Sequence, residues 1–168
     1  MGRHGSIIAF LAVSLSVRSF HTRIMPTGKA WLVWCCLVIL FVCLDQAAKY
    51  MAFAAPARSL VVGNLYQFRN DQFAFSIPLP PWLILLVYAL VLAVMGYEMW
   101  KYRYKRTGVL VLAEALVCAG AFSNIADRIA LGYVRDFFNL ATGYINSADV
   151  CIIAGVLLLA LLPRADFQ

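Results

Sequence analysis

Apolar positions in this chain fall in long runs, and the polar positions gather between them. Four runs, over residues 30–53, 82–100, 108–126 and 147–162, are about as long as the roughly 20 helical residues that cross a hydrocarbon core, so each predicts a membrane-spanning helix. Pro81 and Trp82 suit the start of the second helix at an interface, and Pro163 with Arg164 ends the fourth. Residues 59–77 differ in texture. They mix β-branched and aromatic side chains in rough alternation, with Gly63 and Asn64 among them, and are closed by Pro78, Pro80 and Pro81. That pattern predicts a small sheet or hairpin outside the membrane. The expected fold is an all-α membrane protein: four transmembrane helices with a small extracytoplasmic β-sheet, or cradle, between helices 1 and 2.

Residues 1–29 form a separate unit. The apolar stretch 7–17 is too short to span a bilayer and sits between Arg3 and His4 on one side and Arg18, Arg23 and Lys29 on the other. It reads as a basic interfacial segment or as an upstream extension with the natural start at Met25. The membrane domain then covers residues 30–168.

Composition agrees with this. Hydrophobic residues make up 64% of the 168, and the mean hydropathy of +0.83 leaves too little polar surface to cover a soluble globule. The net charge of +6 comes from cations dispersed around apolar runs, so it speaks for membrane topology and against nucleic acid as a partner. The densest group, Lys101, Arg103, Lys105 and Arg106, occupies a short loop that the positive-inside rule places in the cytoplasm. Counting outward, both termini are cytoplasmic and the connections 54–81 and 128–146 face outward. The five cysteines all lie in apolar runs, which suits reduced packing residues better than a disulfide frame or metal centre. His4 and His21 lie outside the core, so zinc peptidase chemistry lacks its usual ligands. No metal, nucleotide or organic cofactor is expected.

Candidate chemistry concentrates in residues 119–149, which carry three aspartates, two arginines and three asparagines between apolar runs. Ionisable groups at a membrane edge are costly and point to function. Asp136 follows Arg135 and precedes Phe137 and Phe138 in a short connection, and Asp149 lies in the first turn of the fourth helix, where the helix N-terminus favours an anion. Asn146 or Ser147 can cap that helix. If the two carboxylates come within roughly 3–5 Å, they share one proton and match the working pair of an aspartic peptidase. On spacing alone, a helix-terminal charge for Asp149 and an exposed loop position for Asp136 are competing readings. Asn124, Asp127 and Arg128 share one helix face, with Asp127 and Arg128 read chiefly as a polar clasp closing the bundle end. Asp45 and Lys49, four apart, form a helical ion pair near an interface. Asn70 is a candidate hydrogen-bonding residue, and Phe73 and Phe75 read as packing.

The order of these motifs resembles the lipoprotein signal peptidase family, signal peptidase II, over residues 30–162. Asp45-Gln46-Ala-Ala-Lys49 is similar to its DQxxK motif, and the stretch from Asn70 through Ala74, Phe75 and Ser76 to its NxGxAF motif. Residues 119–128, ending in Asn124, Asp127 and Arg128, resemble GGAxGNxxDR; Gly132 to Phe137 resembles GxVxDF; Asn146-Ser-Ala148-Asp149 resembles FNxAD. Gln72, Ala119 and Ser123 stand where the family usually has glycine, Ile145 stands for a phenylalanine, and the interval from Asp136 to Asp149 is shorter than usual. The resemblance implies an aspartic endopeptidase of the bacterial cytoplasmic membrane, a monomer whose partners are membrane lipid and a diacylglyceryl-modified prolipoprotein. Asp136 and Asp149 are then catalytic, Asn70, Asn124, Arg128 and Asn146 line or brace the site, and Asp45 and Lys49 stabilise the fold. The alternatives are a non-catalytic lipoprotein-binding or assembly protein and a small proton-coupled transporter. The transporter suits the sequence less well, because the acids gather at one membrane face.

Overall fold

The structure is a computed structural model that describes residues 29–54, 65–72, 79–102, 107–140 and 143–161. The expectations for residues 1–28, for most of the 59–77 segment including Phe73 and Phe75, and for the cations at 103, 105 and 106 lie outside the described residues. The described residues form four helices: α1 (Ala30–Ala54), α2 (Pro81–Lys101), α3 (Gly108–Leu131) and α4 (Ser147–Leu161). The first three are long and apolar enough to cross a membrane, while α4 is apolar but shorter.

Local chemistry sets the helix ends. Pro81, whose fixed φ suits the first helical turn, opens α2. Thr107 caps α3 by accepting the Leu110 N–H at 3.3 Å. α3 runs a further turn beyond the end expected from hydropathy, because Asp127 and Arg128 find partners inside the molecule. It stops at Gly132, whose φ of 83° lets its N–H turn back to the Arg128 carbonyl.

The buried side of the bundle is α3. Residues Ala113 to Ala121 are continuously buried, and α3 packs against each of the other helices. Its alanines and glycine let backbones approach closely, which is how apolar helices associate without a hydrophobic drive between them. A Cβ on Gly120 would stand 2.4 Å from the Ala148 carbonyl oxygen of α4, and one on Gly155 would stand 2.6 Å from that of Ala113. α1 and α2 instead expose Ile39, Leu44, Leu86 and Leu90 on their outer faces, as helices facing lipid do.

A three-stranded antiparallel sheet lies at one end of the bundle, in the order β1 (Leu65–Asn70), β2 (Val134–Leu140), β3 (Gly143–Ile145). The expected sheet is there, but its strands come from two connections. Of the described strands, β1 alone lies between the first two helices; the central strand is β2, in the connection read from the sequence as a short loop. Two strands alone are marginal in water, and pairing across both connections gives each a partner. Phe68 pairs with Asp136 and Asn70 with Val134, so this register brings Asn70 beside Asp136.

Candidate active site

The site starts from the turn that opens α4. Asn146 precedes the helix, and its Oδ1 accepts the Asp149 N–H at 3.0 Å; Asp149 Oδ2 accepts the Asn146 N–H in return, at 3.2 Å. This reciprocal box follows from a spacing of three residues and satisfies two N–H groups that the helix leaves open. The Asn146 amide nitrogen is left to donate elsewhere. It reaches Asp136 Oδ1 at 2.6 Å and Asn124 Oδ1 at 3.2 Å.

Asp136, on the central strand, is fully buried. Its second oxygen accepts from Asn70 Nδ2 at 2.8 Å, while Asn70 Oδ1 accepts the Gln72 N–H at 3.0 Å in a side-chain turn. Asp149 Oδ1 accepts from Asn124 Nδ2 at 2.9 Å. Three asparagines on β1, α3 and the α4 cap thus hold two carboxylates in one network, with Asn146 touching both. Burial pushes the Asp136 carboxyl from its ordinary 3.8 up to about 6, and the charge of Asp149 pushes the same way, against the amide donors Asn70 and Asn146 and the more distant Lys49.

A second cluster lies beside this one. Lys49 pairs with Asp45 at 2.8 Å and with Asp127 at 3.3 Å, and Arg135 Nη2 meets Asp127 Oδ1 at 2.7 Å. Asp127 also accepts the backbone N–H of Arg135 at 3.1 Å, which ties β2 to α3 one residue before Asp136. Gln46 donates to Asp127 at 3.0 Å and accepts from Arg135 at 2.6 Å. Asp45 takes the Ser123 hydroxyl at 2.5 Å and the Ser147 hydroxyl on its other oxygen. Two carboxylates and two cations balance, the condition for burying charge.

The structure therefore brings Asp136, Asp149, Asn70, Asn124 and Asn146 together, and places Asp45, Lys49 and Asp127 in the adjoining ion cluster. Arg128 points to a different partner from Asp127: its Nη2 donates to the Gln72 carbonyl at 2.7 Å. The sequence reading missed the structural use of Arg135, Ser123 and Ser147. Ser123 was legible only as a departure from glycine, yet its hydroxyl bridges Asp45 and Gln46. Tyr88 of α2 was also missed; it is buried and interacts with Asn124, Arg128 and Asp149. It stands in an apolar run with nothing in the sequence to single it out. Among the described residues, no group of three or more His, Cys, Asp or Glu is placed to hold a metal ion.

A sequence model of the family Signal peptidase (SPase) II matches residues 37–163. The chain is 32% identical over 136 residues to a lipoprotein signal peptidase of Syntrophomonas wolfei, covering 76% of this chain and 90% of that one. It is also 32% identical over 136 residues to one of Lactiplantibacillus plantarum, covering 74% and 89%. Among solved structures, a bacterial membrane enzyme determined by the in meso method at 2.3 Å resolution superposes with a TM-score of 0.67 at 24% identity, over 77% of this chain and 85% of that one. This last likeness is one of fold.

Proposed function

Since the chain belongs to the signal peptidase II family, we propose that it removes signal peptides from diacylglyceryl-modified prolipoproteins, by attack of a water that Asp136 and Asp149 activate together. The observation that supports this most directly is the pair of carboxylates joined through Asn146 at one end of an apolar bundle. Asp136, with its carboxyl raised to about 6 by burial and by its acidic neighbour, is the member that holds the shared proton and donates it to the carbonyl oxygen of the scissile bond. Asp149 takes a proton from the attacking water. As the tetrahedral intermediate collapses, that proton passes from Asp149 to the leaving amine while a hydroxyl of the intermediate returns its proton to Asp136, so the acid and amine leave and the pair is singly protonated again.

The amides of Asn70, Asn124 and Asn146 hold the two carboxyl planes in place, so little reorganisation is needed when the water attacks. Arg128, with part of its side chain exposed and its guanidinium against the Gln72 carbonyl, braces the segment after β1 where a substrate backbone would lie.

The position of the site on α3 supports the proposed topology. Asn124 is sixteen residues from the helix start at Gly108, about 24 Å at the helical rise. Lys101, at the end of α2, and the carboxylate pair then lie near opposite membrane faces. With the cations cytoplasmic by the positive-inside rule, our reading has four spans, α4 the last, both termini in the cytoplasm and the site at the extracytoplasmic face of the inner membrane, where an exported lipoprotein arrives.

The test is cleavage of a diacylglyceryl-modified precursor peptide by the purified protein in detergent. Wild type cuts it, and Asp136→Asn and Asp149→Asn each remove turnover with the thermal unfolding transition retained. Continued cleavage by either variant would refute the pair; a folded wild type that binds the peptide without cutting it would favour the non-catalytic binding protein.

A further inference from the structure

Lys49 takes no part in the hydrolysis as written, yet its ammonium is fully buried and lies next to the residues that hold the pair. Two of its directions go to Asp45 and Asp127. The third donates to Asn124 Oδ1 at 2.9 Å. An ammonium has only donors, so it fits the oxygen end of a carboxamide and repels the NH2 end. Asn146 Nδ2 donates to the same oxygen at 3.2 Å. With its oxygen held from two sides, the Asn124 amide presents its N–H to Asp149 Oδ1, at 2.9 Å. The reversed amide would set N–H against two donors and oxygen against a carboxylate, losing all three bonds. Charge balance does not require the contact, since Asp45 and Asp127 are already matched by Lys49 and Arg135.

We propose that Lys49 is a positioning residue for the hydrolysis: it fixes the direction of the Asn124 carboxamide and thereby keeps one oxygen of Asp149 hydrogen-bonded and its plane set for the attacking water. This role rests on the reading of Asp136 and Asp149 as the catalytic pair, and adds to the part Lys49 plays in the fold.

Removing Lys49 alone leaves a buried carboxylate unmatched, so the informative variant combines Lys49→Met with Asp45→Asn, which takes out one charge of each sign. It is compared with Asp45→Asn alone, using the full chain and a diacylglyceryl-modified precursor peptide, with folding followed by thermal unfolding. The expected result is a kcat lower by about a hundredfold, the scale on which a lost preorganised donor acts, with KM changed by less than about twofold. Asn124→Leu gives a similar fall, and adding it to the double variant costs little more, because the two residues act in series. Should the double variant not fold, Asp45→Asn with Lys49→Leu, which likewise leaves no donor for Asn124, gives the same comparison. A kcat equal to that of Asp45→Asn alone, or losses that multiply in full when Asn124→Leu is added, overturns the role. Asp136→Asn and Asp149→Asn run alongside: cleavage by either removes the pair itself, and so separates failure of the underlying reading from failure of the Lys49 step.

Discussion

Asp136 and Asp149 are both aspartates near the end of an apolar run, and their surroundings differ. Asp136 sits fully buried on a strand with two amide donors, and its carboxyl is raised to about 6. Because the raised value belongs to the folded state, the folded chain binds this proton more tightly than the unfolded chain. The resulting stabilisation is complete below pH 3.8 and is lost as pH rises through about 6. Thermal unfolding in detergent should therefore show a higher midpoint at pH 5 than at pH 7, with part of that difference missing in Asp136→Asn. On the proposed mechanism the same ionisation removes the shared proton, so kcat should fall on the alkaline side through a pH near 6, shifted by bound substrate. Asn146 is the residue where stability and chemistry meet. Asn146→Ala loses the helix cap, worth about 1 kcal/mol, together with the donor shared by Asp136 and Asn124. It should lower the unfolding midpoint modestly and turnover far more, read by the same two assays.

At the scale of elements, the contact between α3 and α4 fixes where Asp149 stands. Gly120 meets the backbone of Ala148, one residue before Asp149, and Gly155 meets Ala113 further along the same contact. Gly120→Ala and Gly155→Ala must both push the helices apart, and overpacking of this kind costs roughly 1–3 kcal/mol. Both should lower the unfolding midpoint. Gly120→Ala should also reduce kcat per folded molecule, whereas Gly155→Ala, two turns away from the pair, should leave most of it. Equal losses of kcat would mean that the helix contact does not position the carboxylate. The sheet shows what helix periodicity leaves unread. β2 was legible as a short connection with an aspartate in it, but its place as the central strand depends on β1, more than sixty residues earlier, arriving at the same bundle end.

For the whole molecule, the arrangement makes a prediction about sidedness. Lys101, at the end of α2, and Asp71, just after β1, are both exposed and lie near opposite ends of the bundle. In a background without the native cysteines, Asp71→Cys should react with an impermeant thiol reagent from outside intact cells. Lys101→Cys should react only once the cytoplasmic face is opened; the reverse pattern would invert the topology. The ion cluster lies at the end of the bundle that carries the site. Asp127, Arg135, Gln46, Lys49 and Asp45 come from α1, α3 and β2, so the sheet that carries Asp136 is fastened to α1 and to the helix that carries Asn124.

What the linear chain determined by itself is what local physics controls. Run length and composition set helices suited to lipid, and Pro81, Thr107, Gly132 and the Asn146–Asp149 spacing set where they begin and end. The motifs carried the family resemblance in full. What only the tertiary structure decided is which polar groups meet: that Asp136 is buried on a central strand, that Asn70 reaches it through register, that Ser123 and Ser147 close on Asp45, and that Lys49 faces Asn124. Those partners lie far apart in sequence. No local preference encodes them, and they follow only when burying each charge requires a partner and the packing of α1, α3, α4 and the sheet supplies one.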